Sequence, residues 1–168
     1  ANREAVKAYL YADSLYRSES LEMEGSVLYN NIGIIYTNQG DYTTAMRYLQ
    51  KALQSQRKGL VNETYLLTQG NVAECLVGQK KFSEAKTLLL GIFPKTQQLK
   101  LNRVASGMAL VLGNIYYEEK ALPQATEYYT YARNYAMASG EQEKMIGALT
   151  GLARVYNLDK KPEEARSS

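Results

Sequence analysis

Small and apolar residues recur along the chain at a constant interval of forty positions. Alanine occupies one such column, and a large apolar residue follows it four positions later in each complete unit. Within a unit, apolar and small residues fall at positions such as 29, 32, 33 and 36, which is the spacing of one face of an α-helix. The alanine column consists of Ala5, Ala45, Ala85, Ala125 and Ala165, and the large column of Tyr9, Leu49, Leu89 and Tyr129. The pattern predicts two helices in each unit.

A second column of small residues precedes each alanine and keeps the same spacing. It consists of Gly33, Ala73, Gly113 and Ala153. Small side chains on the first helix would allow the second helix of the unit to approach closely. We therefore expect Ala125→Leu to overpack this contact, at a cost of about 1–3 kcal/mol.

Turn residues punctuate the pattern between the two helices of a unit. Gly40 suits a left-handed helix end, and Asp41 suits the N-cap of the helix that follows. Pro123 would lie in the first turn of its helix, and Pro162 is expected at the equivalent position of the next second helix. Pro94, in contrast, interrupts a second helix and predicts a kink or an early stop near Phe93.

The register divides residues 1–168 into one repeat domain, which we expect to be a piece of a longer protein. The chain begins without Met and closes on an unfinished helical pattern. The expected layout is a half unit at 2–18, pairs at 21–58, 61–98 and 101–138, and a partial unit at 141–168. Within that partial unit, a helix at about 141–157 leads into a stub at 161–166.

These columns resemble the tetratricopeptide repeat (TPR) family, most clearly over Tyr29–Ala45 and Leu112–Ala132. The period of forty positions is longer than the family's usual period of about 34. The resemblance implies an all-α, TPR-like α-solenoid of antiparallel helix pairs, stacked in a right-handed superhelix. It also implies that first helices line the concave wall. The long period resembles the TPR sensor regions of bacterial signalling proteins, in which the repeats precede a membrane helix and an output domain.

Given that resemblance, first-helix residues outside the packing columns become the candidate binding face. Asparagines are prominent among them, and a carboxamide both donates and accepts hydrogen bonds, which suits the backbone of an extended peptide. The alternative is that these amides satisfy neighbouring helices or water. The candidates are Asn30, Asn31, Ile34, Asn38, Asn71, Glu74, Asn114, Tyr117, Arg154 and Asn157, and Thr37, Val77, Leu110, Val111, Glu118 and Gly151 share the same helices.

Composition excludes several kinds of chemistry. The chain has no His and one Cys, so it offers no His-based nucleophile system, no imidazole metal site and no thiolate zinc site. Cys75 fits a buried small hydrophobe better than a reactive thiol. Carboxylate pairs such as Glu118 and Glu119 lack a partner acid or base. We therefore expect no enzyme activity, no metal and no cofactor.

The expected function is a non-enzymatic interaction module that binds a peptide or a partner domain, as the sensory or scaffolding part of a larger regulator. A carboxylate-gripping groove is not expected, because the face carries no lysine and Arg154 is its only cation. An internal segment or a helix fits better. The alternative is a structural scaffold that self-associates, for example as a homodimer, through its terminal helices.

The formal charge of +3 is too small to indicate direct nucleic-acid binding. No apolar run approaches the roughly 18 residues that span a membrane. Neither a periplasmic nor a cytoplasmic location can be chosen from this segment.

Overall fold

The computed structural model of the chain describes residues 4, 6–11, 14, 22–56 and 59–166, and among these the side chains of residues 22–24 and 160–166 are not described. Residues 4, 6–11 and 14 are helical. The helices that follow are α1 (Glu22–Asn38), α2 (Tyr42–Gln54), α3 (Glu63–Gly78), α4 (Phe82–Gln98), α5 (Asn102–Glu118), α6 (Leu122–Ser139) and α7 (Gln142–Arg166). The described residues contain no strand. The predicted all-α, TPR-like solenoid of antiparallel helix pairs is confirmed, and the right-handed sense of stacking stays a prediction.

Most of the turns between helices share one geometry, and it recurs at intervals of twenty or forty positions. The last residue before the capping position takes a left-handed conformation, with φ of 79° at Gly40 and 73° at Gly140. The next residue then donates its backbone N–H to a carbonyl five residues earlier, as Asp41 does to Tyr36 at 3.0 Å. This is the hydrogen-bond pattern of a Schellman helix end, which satisfies carbonyls left over at the helix terminus. The predicted role of Gly40 is confirmed.

Lysine takes the glycine position in three of these turns. Lys80, Lys100 and Lys120 have φ of 63°, 54° and 60°. For a residue with a side chain, the left-handed backbone conformation is roughly 1–2 kcal/mol less favourable than the right-handed one. The packing of the flanking helices must therefore stabilise these turns.

The predicted helix-start residues take their expected places at the starts of two second helices. Asp41 accepts a hydrogen bond of 3.0 Å from the backbone N–H of Thr44. Pro123 lies in the first turn of α6, where its missing N–H leaves no helical bond unmade.

Two expected helix ends are not found. The early stop near Phe93 is wrong, because α4 continues past Pro94 to Gln98, while the alternative, a kink at this place, stays a prediction. The helix can continue because proline removes one backbone donor and the bonds beyond it re-form, including Leu99 N–H to Lys95 O at 3.0 Å. Likewise, α7 runs unbroken to Arg166 and does not end at about 157 before a separate stub. Pro162 therefore lies inside α7 and not in the first turn of a separate helix.

The chain divides into two compact units, Ala1–Ala85 and Lys86–Ser168, with the boundary inside α4. In the first unit, Ile32, Ala45, Leu49 and Ala52 are completely buried. A Cβ atom on Gly33 would lie 2.6 Å from Leu49 Cδ2 and 3.4 Å from the carbonyl oxygen of Ala45. The small residue here therefore lets the second helix approach closely, as the sequence pattern predicts.

The second unit repeats this contact with a larger side chain. Tyr129 is completely buried, and a Cβ atom on Gly113 would lie 2.6 Å from its Cδ1. The ring also fills the space beside Gly151 of α7. The alanine column is buried as expected at Ala85 and Ala125, both of which have no exposed surface. Ala5 and Ala165 lie outside the described side chains.

A stacked pair of tyrosines recurs in each unit at the same register. Tyr36 stacks on Tyr48 with ring centroids 5.8 Å apart, and Tyr116 stacks on Tyr128 with centroids 5.4 Å apart. Both members of the second pair follow those of the first by two sequence repeats. In the second unit Phe93 meets Tyr128 edge to face, with ring centroids 5.8 Å apart and an interplanar angle of 61°. The tyrosine-rich columns thus pack between helices.

Candidate functional site

Two of the predicted site residues in the first unit pair with each other. Asn71 Nδ2 on α3 donates a hydrogen bond of 2.8 Å to Asn30 Oδ1 on α1. Asn30 is buried, with 4% of its surface exposed. The pair therefore satisfies a buried amide between the first helices of successive repeats, and only part of each amide remains to bind anything else.

The other candidates on α1 lie on one side of that helix. Asn31, Ile34 and Asn38 are spaced i, i+3 and i+7, so they share one face. Asn31 and Ile34 are half-buried, and Asn38 is exposed. Thr37 is bound internally, because its hydroxyl donates to the carbonyl of Gly33 at 3.0 Å. On α3, Glu74 is exposed and Val77 is half-buried.

The candidates in the second unit form a charged and aromatic patch. The guanidinium carbon of Arg154 on α7 lies 4.0 Å from the centroid of the Tyr117 ring on α5. Arg154 Nη2 also lies 3.7 Å from Glu118 Oε1, with 47% and 54% of the two side chains exposed. Lys120 Nζ also approaches Tyr117, at 5.3 Å from the ring centroid. Sequence reasoning missed Lys120, because its position in a turn gave no sign that it reaches this ring.

Asn114 joins this patch through the core tyrosine beneath it. Tyr129 donates its hydroxyl hydrogen to Asn114 Oδ1 at 2.8 Å. Burial raises the pKa of Tyr129 to about 12, and the positive charge of Arg154 opposes that rise. Asn157, three residues beyond Arg154 on the same face of α7, is exposed.

Some residues placed on the predicted binding face serve packing. Val111 is buried, with 9% of its surface exposed. Gly151 is also buried and faces the ring of Tyr129. Leu110 packs against the cluster of Ala125 and Tyr129. The sequence pattern placed these three residues on the binding face from the helical register alone. The register does not show that α7 packs against α5 and covers them.

We call the surface set Asn114, Tyr117, Arg154 and Asn157 the arginine patch. Within the part of the chain that the structure describes, the guanidinium of Arg154 makes the ion pair above but no hydrogen bond. The Nδ2 of Asn114 likewise has no described partner. A guanidinium is planar and always charged, and the ring beneath it limits its orientation. The arginine patch therefore presents oriented donors at the surface.

Cys75 has the buried setting that the sequence predicts for it. The thiol has no exposed surface and lies 3.4 Å from Thr37 Oγ1. Burial raises the pKa of the Cys75 thiol, which disfavours the reactive thiolate. Among the described residues, no three His, Cys, Asp or Glu side chains come together as a metal site. No described helix is both long enough and apolar enough to cross a membrane.

The fold defines a class of protein. The chain is a helical repeat protein of the kind that mediates protein–protein interaction, and such scaffolds are generally not catalytic. Residues 26–90 match the tetratricopeptide repeat family, which confirms the predicted resemblance over that segment.

Two solved structures are similar to the chain in fold. The crystal structure of the apo form of RapI has a TM-score of 0.75 at 18% sequence identity, and the match covers 95% of this chain and 44% of RapI. The crystal structure of BtubC (BKLC) from P. vanneervenii has a TM-score of 0.58 at 14% identity, covering 95% of this chain and 77% of BtubC. The chain thus spans less than half the length of RapI. No curated protein sequence matches it.

Proposed function

We propose that this chain is a non-enzymatic interaction module that binds a peptide or a partner domain on the exposed faces of its first helices. The observation that carries the proposal is the pairing of Arg154 with Tyr117, with the guanidinium carbon 4.0 Å from the ring centroid. Both side chains reach the surface, and the arginine makes no described hydrogen bond there. Because the ring already restricts the arginine side chain, the side chain loses less conformational entropy when a partner binds.

The chemistry of the arginine patch favours an internal segment of a partner. Arg154 can donate to a backbone carbonyl of the segment, and the Asn114 amide can donate to another. The edge of Tyr117 adds an apolar contact. Glu118, at 3.7 Å from Arg154, would repel the additional charge of a free C-terminal carboxylate.

In the first unit, Asn31, Ile34, Asn38 and Glu74 offer a second face of mixed polarity. Asn30 and Asn71 stabilise the helices that carry this face, because their side chains are hydrogen-bonded to each other. The sensory or scaffolding role in a larger regulator rests on the resemblance of the long repeat period to bacterial sensor regions.

A random-peptide display library tests the proposal. We expect the chain to enrich peptides whose affinity falls by about tenfold or more in Arg154→Ala and Asn157→Ala, a change of about 1.4 kcal/mol. Arg133→Ala is the matched control, because Arg133 is a cation on the second helix α6 that bonds only its neighbour Asn134 among the described residues. Enriched peptides that bind equally well to Arg154→Ala would place the site elsewhere.

Self-association through terminal helices is the alternative function. It is favoured by one specific observation, the apolar surface that α7 leaves exposed.

A further inference from the structure

A groove lies in the first unit between α2, the end of α3 and the start of α4. Its volume is about 390 Å³, which falls within the size range of ligand-binding clefts. The apolar part of its lining comprises Met46, Val72 and Leu76. Leu76 is buried, whereas Met46 and Val72 are half-buried and pack against the cluster that contains Leu49. This space, which we call the α2–α3 groove, therefore offers apolar surface that solvent still reaches.

Two cations on different elements line the rim of the α2–α3 groove. Arg47 is exposed on α2 and makes no ion pair within the part of the chain that the structure describes. Lys81 directly precedes α4, and its Nζ lies 4.0 Å from Glu84 Oε1, with 50% and 62% of the two side chains exposed. An exposed ion pair of this length contributes little to stability, so Lys81 can still pair with a second carboxylate. Asp41, at the start of α2, is held at the helix cap and does not line the groove. The rim thus carries one more positive charge than negative charge.

Neutral hydrogen-bonding groups complete the rim. Gln50 lies on α2, and Gln79 is the C-cap of α3. Among the described residues, neither side-chain amide has a hydrogen-bond partner. An amide both donates and accepts, so these two side chains suit the backbone of a bound segment.

The second unit has an ion pair at the equivalent position. One repeat after Met46 and Gln79 stand Lys86 and Glu119. Lys86 Nζ donates to both carboxylate oxygens of Glu119 at 2.7 Å, and it lies 5.3 Å from the centroid of the Tyr116 ring. The first unit has an apolar and a neutral side chain at these two places, so no such pair joins α2 to the end of α3. The α2–α3 groove is therefore the form of this inter-helix space that lacks an internal bridge.

We propose that the α2–α3 groove binds a segment of a partner protein that presents an apolar side chain flanked by acidic residues. The apolar side chain would bury the surface of Met46 and Leu76. The flanking carboxylates would pair with Arg47 and Lys81, because the excess positive charge of the rim is complementary to an acidic segment. The groove lies in the first unit and the arginine patch in the second, so this inference does not depend on the proposed binding by the first helices.

Two peptide display libraries test the proposal. Both present short peptides with apolar residues at the centre, and the flanks carry Asp and Glu in one library and Lys and Arg in the other. We expect the wild-type chain to enrich peptides from the acidic library only. The affinity of these peptides should fall by about tenfold or more in Arg47→Ala, a change of about 1.4 kcal/mol. Arg133→Ala is the control of equal charge, and Arg154→Ala removes the cation of the arginine patch, so both should bind the peptides as the wild type does.

A variant with a bridged groove tests the position of the site without changing the net charge. Met46→Lys with Gln79→Glu places in the first unit the residues that form the pair of Lys86 and Glu119 in the second. The new ion pair would cross the groove and compete with the apolar side chain of the peptide. We expect this variant to keep its helix content and to bind the acidic peptides about tenfold or more weakly.

Three results would overturn the proposal. The first is the absence of enrichment from the acidic library, or enrichment from the basic library to the same degree. The second is unchanged affinity of the acidic peptides in both Arg47→Ala and the bridged variant. The third is a loss of affinity in Arg154→Ala alone, which would assign the peptides to the arginine patch. If circular dichroism shows that the bridged variant has lost helix content, Gln50→Glu replaces it, because it adds a negative charge at an exposed rim position and should weaken the same peptides.

Discussion

Asn71 donates a hydrogen bond of 2.8 Å to the buried Asn30, across a separation of 41 residues in sequence. The bond joins two first helices, α1 and α3, of successive repeats. A buried amide oxygen without a donor would cost free energy, so this bond fixes how the second repeat sits on the first. In the sequence, Asn30 and Asn71 cannot be told apart from asparagines that stay exposed, such as Asn38. The role that the structure shows for this pair is structural.

Asn71→Ala should therefore destabilise the first unit. It leaves Asn30 Oδ1 buried without a donor, which costs about 1–3 kcal/mol. The measurement is the free energy of unfolding from urea titration, followed by helix content. Asn31→Ala is the matched control, because Asn31 neighbours Asn30 but is half-exposed, and its effect should stay within about 0.5 kcal/mol.

A double-mutant cycle decides whether the hydrogen bond itself is responsible. Once Asn30 is also replaced by Ala, the loss of Asn71 should cost much less, because no buried acceptor remains unpaired. Fully additive effects of Asn30→Ala and Asn71→Ala would contradict this account of the pair.

Gly113→Ala should destabilise the second unit although alanine is the better helix former. The new Cβ atom would lie 2.6 Å from Tyr129 Cδ1, and the completely buried ring has no free space to enter. Overpacking of this kind costs about 1–3 kcal/mol, net of backbone preference. Gly91→Ala is the matched control, because its Cβ atom would meet nothing within 4 Å and should stabilise α4 by about 0.5–1 kcal/mol. Equal midpoints of thermal unfolding for the two variants would show that the ring of Tyr129 moves aside.

Features that repeat could be predicted from the sequence, because periodic columns report periodic packing. The small residues at Gly33 and Gly113 and the buried Ala45 and Ala125 follow from columns that recur once in every repeat. Each depends on contacts that a helix makes with its neighbour in sequence, so the spacing is enough to infer them. The left-handed turn at Gly40 follows from the glycine itself.

Features that leave no mark in the residue type could not be predicted. Lys80 and Lys120 stand one and two repeats after Gly40 and share its left-handed conformation, but there packing overrides residue preference. The continuation of α4 past Pro94 depends on the hydrogen bonds of the following turn. At the candidate site, the sequence placed Arg154 and Tyr117 on exposed helices, but only the structure shows that one lies over the other.

The buried phenol of Tyr129 should make the second unit sensitive to alkali. Burial raises the pKa of Tyr129 to about 12, above the ordinary tyrosine value of about 10. The folded state thus holds the neutral phenol more strongly than the unfolded state does. Its contribution to stability is complete below about pH 10 and is lost as the pH rises toward 12.

Tyr129→Phe isolates that contribution. The variant should lose part of the alkaline decline in the urea midpoint and should be less stable near neutral pH by about 0.5–1.5 kcal/mol, because Asn114 loses its donor. Tyr11→Phe is a suitable control, since Tyr11 is 69% exposed. An alkaline decline of the same steepness in Tyr129→Phe and wild type would show that other groups cause it.

The cap at Asp41 should make the start of α2 sensitive to acid. Hydrogen bonds from the hydroxyl and the backbone N–H of Thr44 lower the pKa of Asp41 below its ordinary value of 3.8. The stabilisation is therefore complete above that ordinary value and is lost as the pH falls through the lowered pKa. Asn is an equally good cap that does not titrate, as Asn62 shows at the start of α3, where it accepts from Tyr65 N–H at 2.9 Å. At neutral pH, Asp41→Asn should thus have a melting temperature near that of the wild type. As the pH falls below about 4, the melting temperature of the wild type should decrease more than that of the variant. Parallel pH profiles of the two melting temperatures would show that the Asp41 carboxylate contributes nothing through this cap.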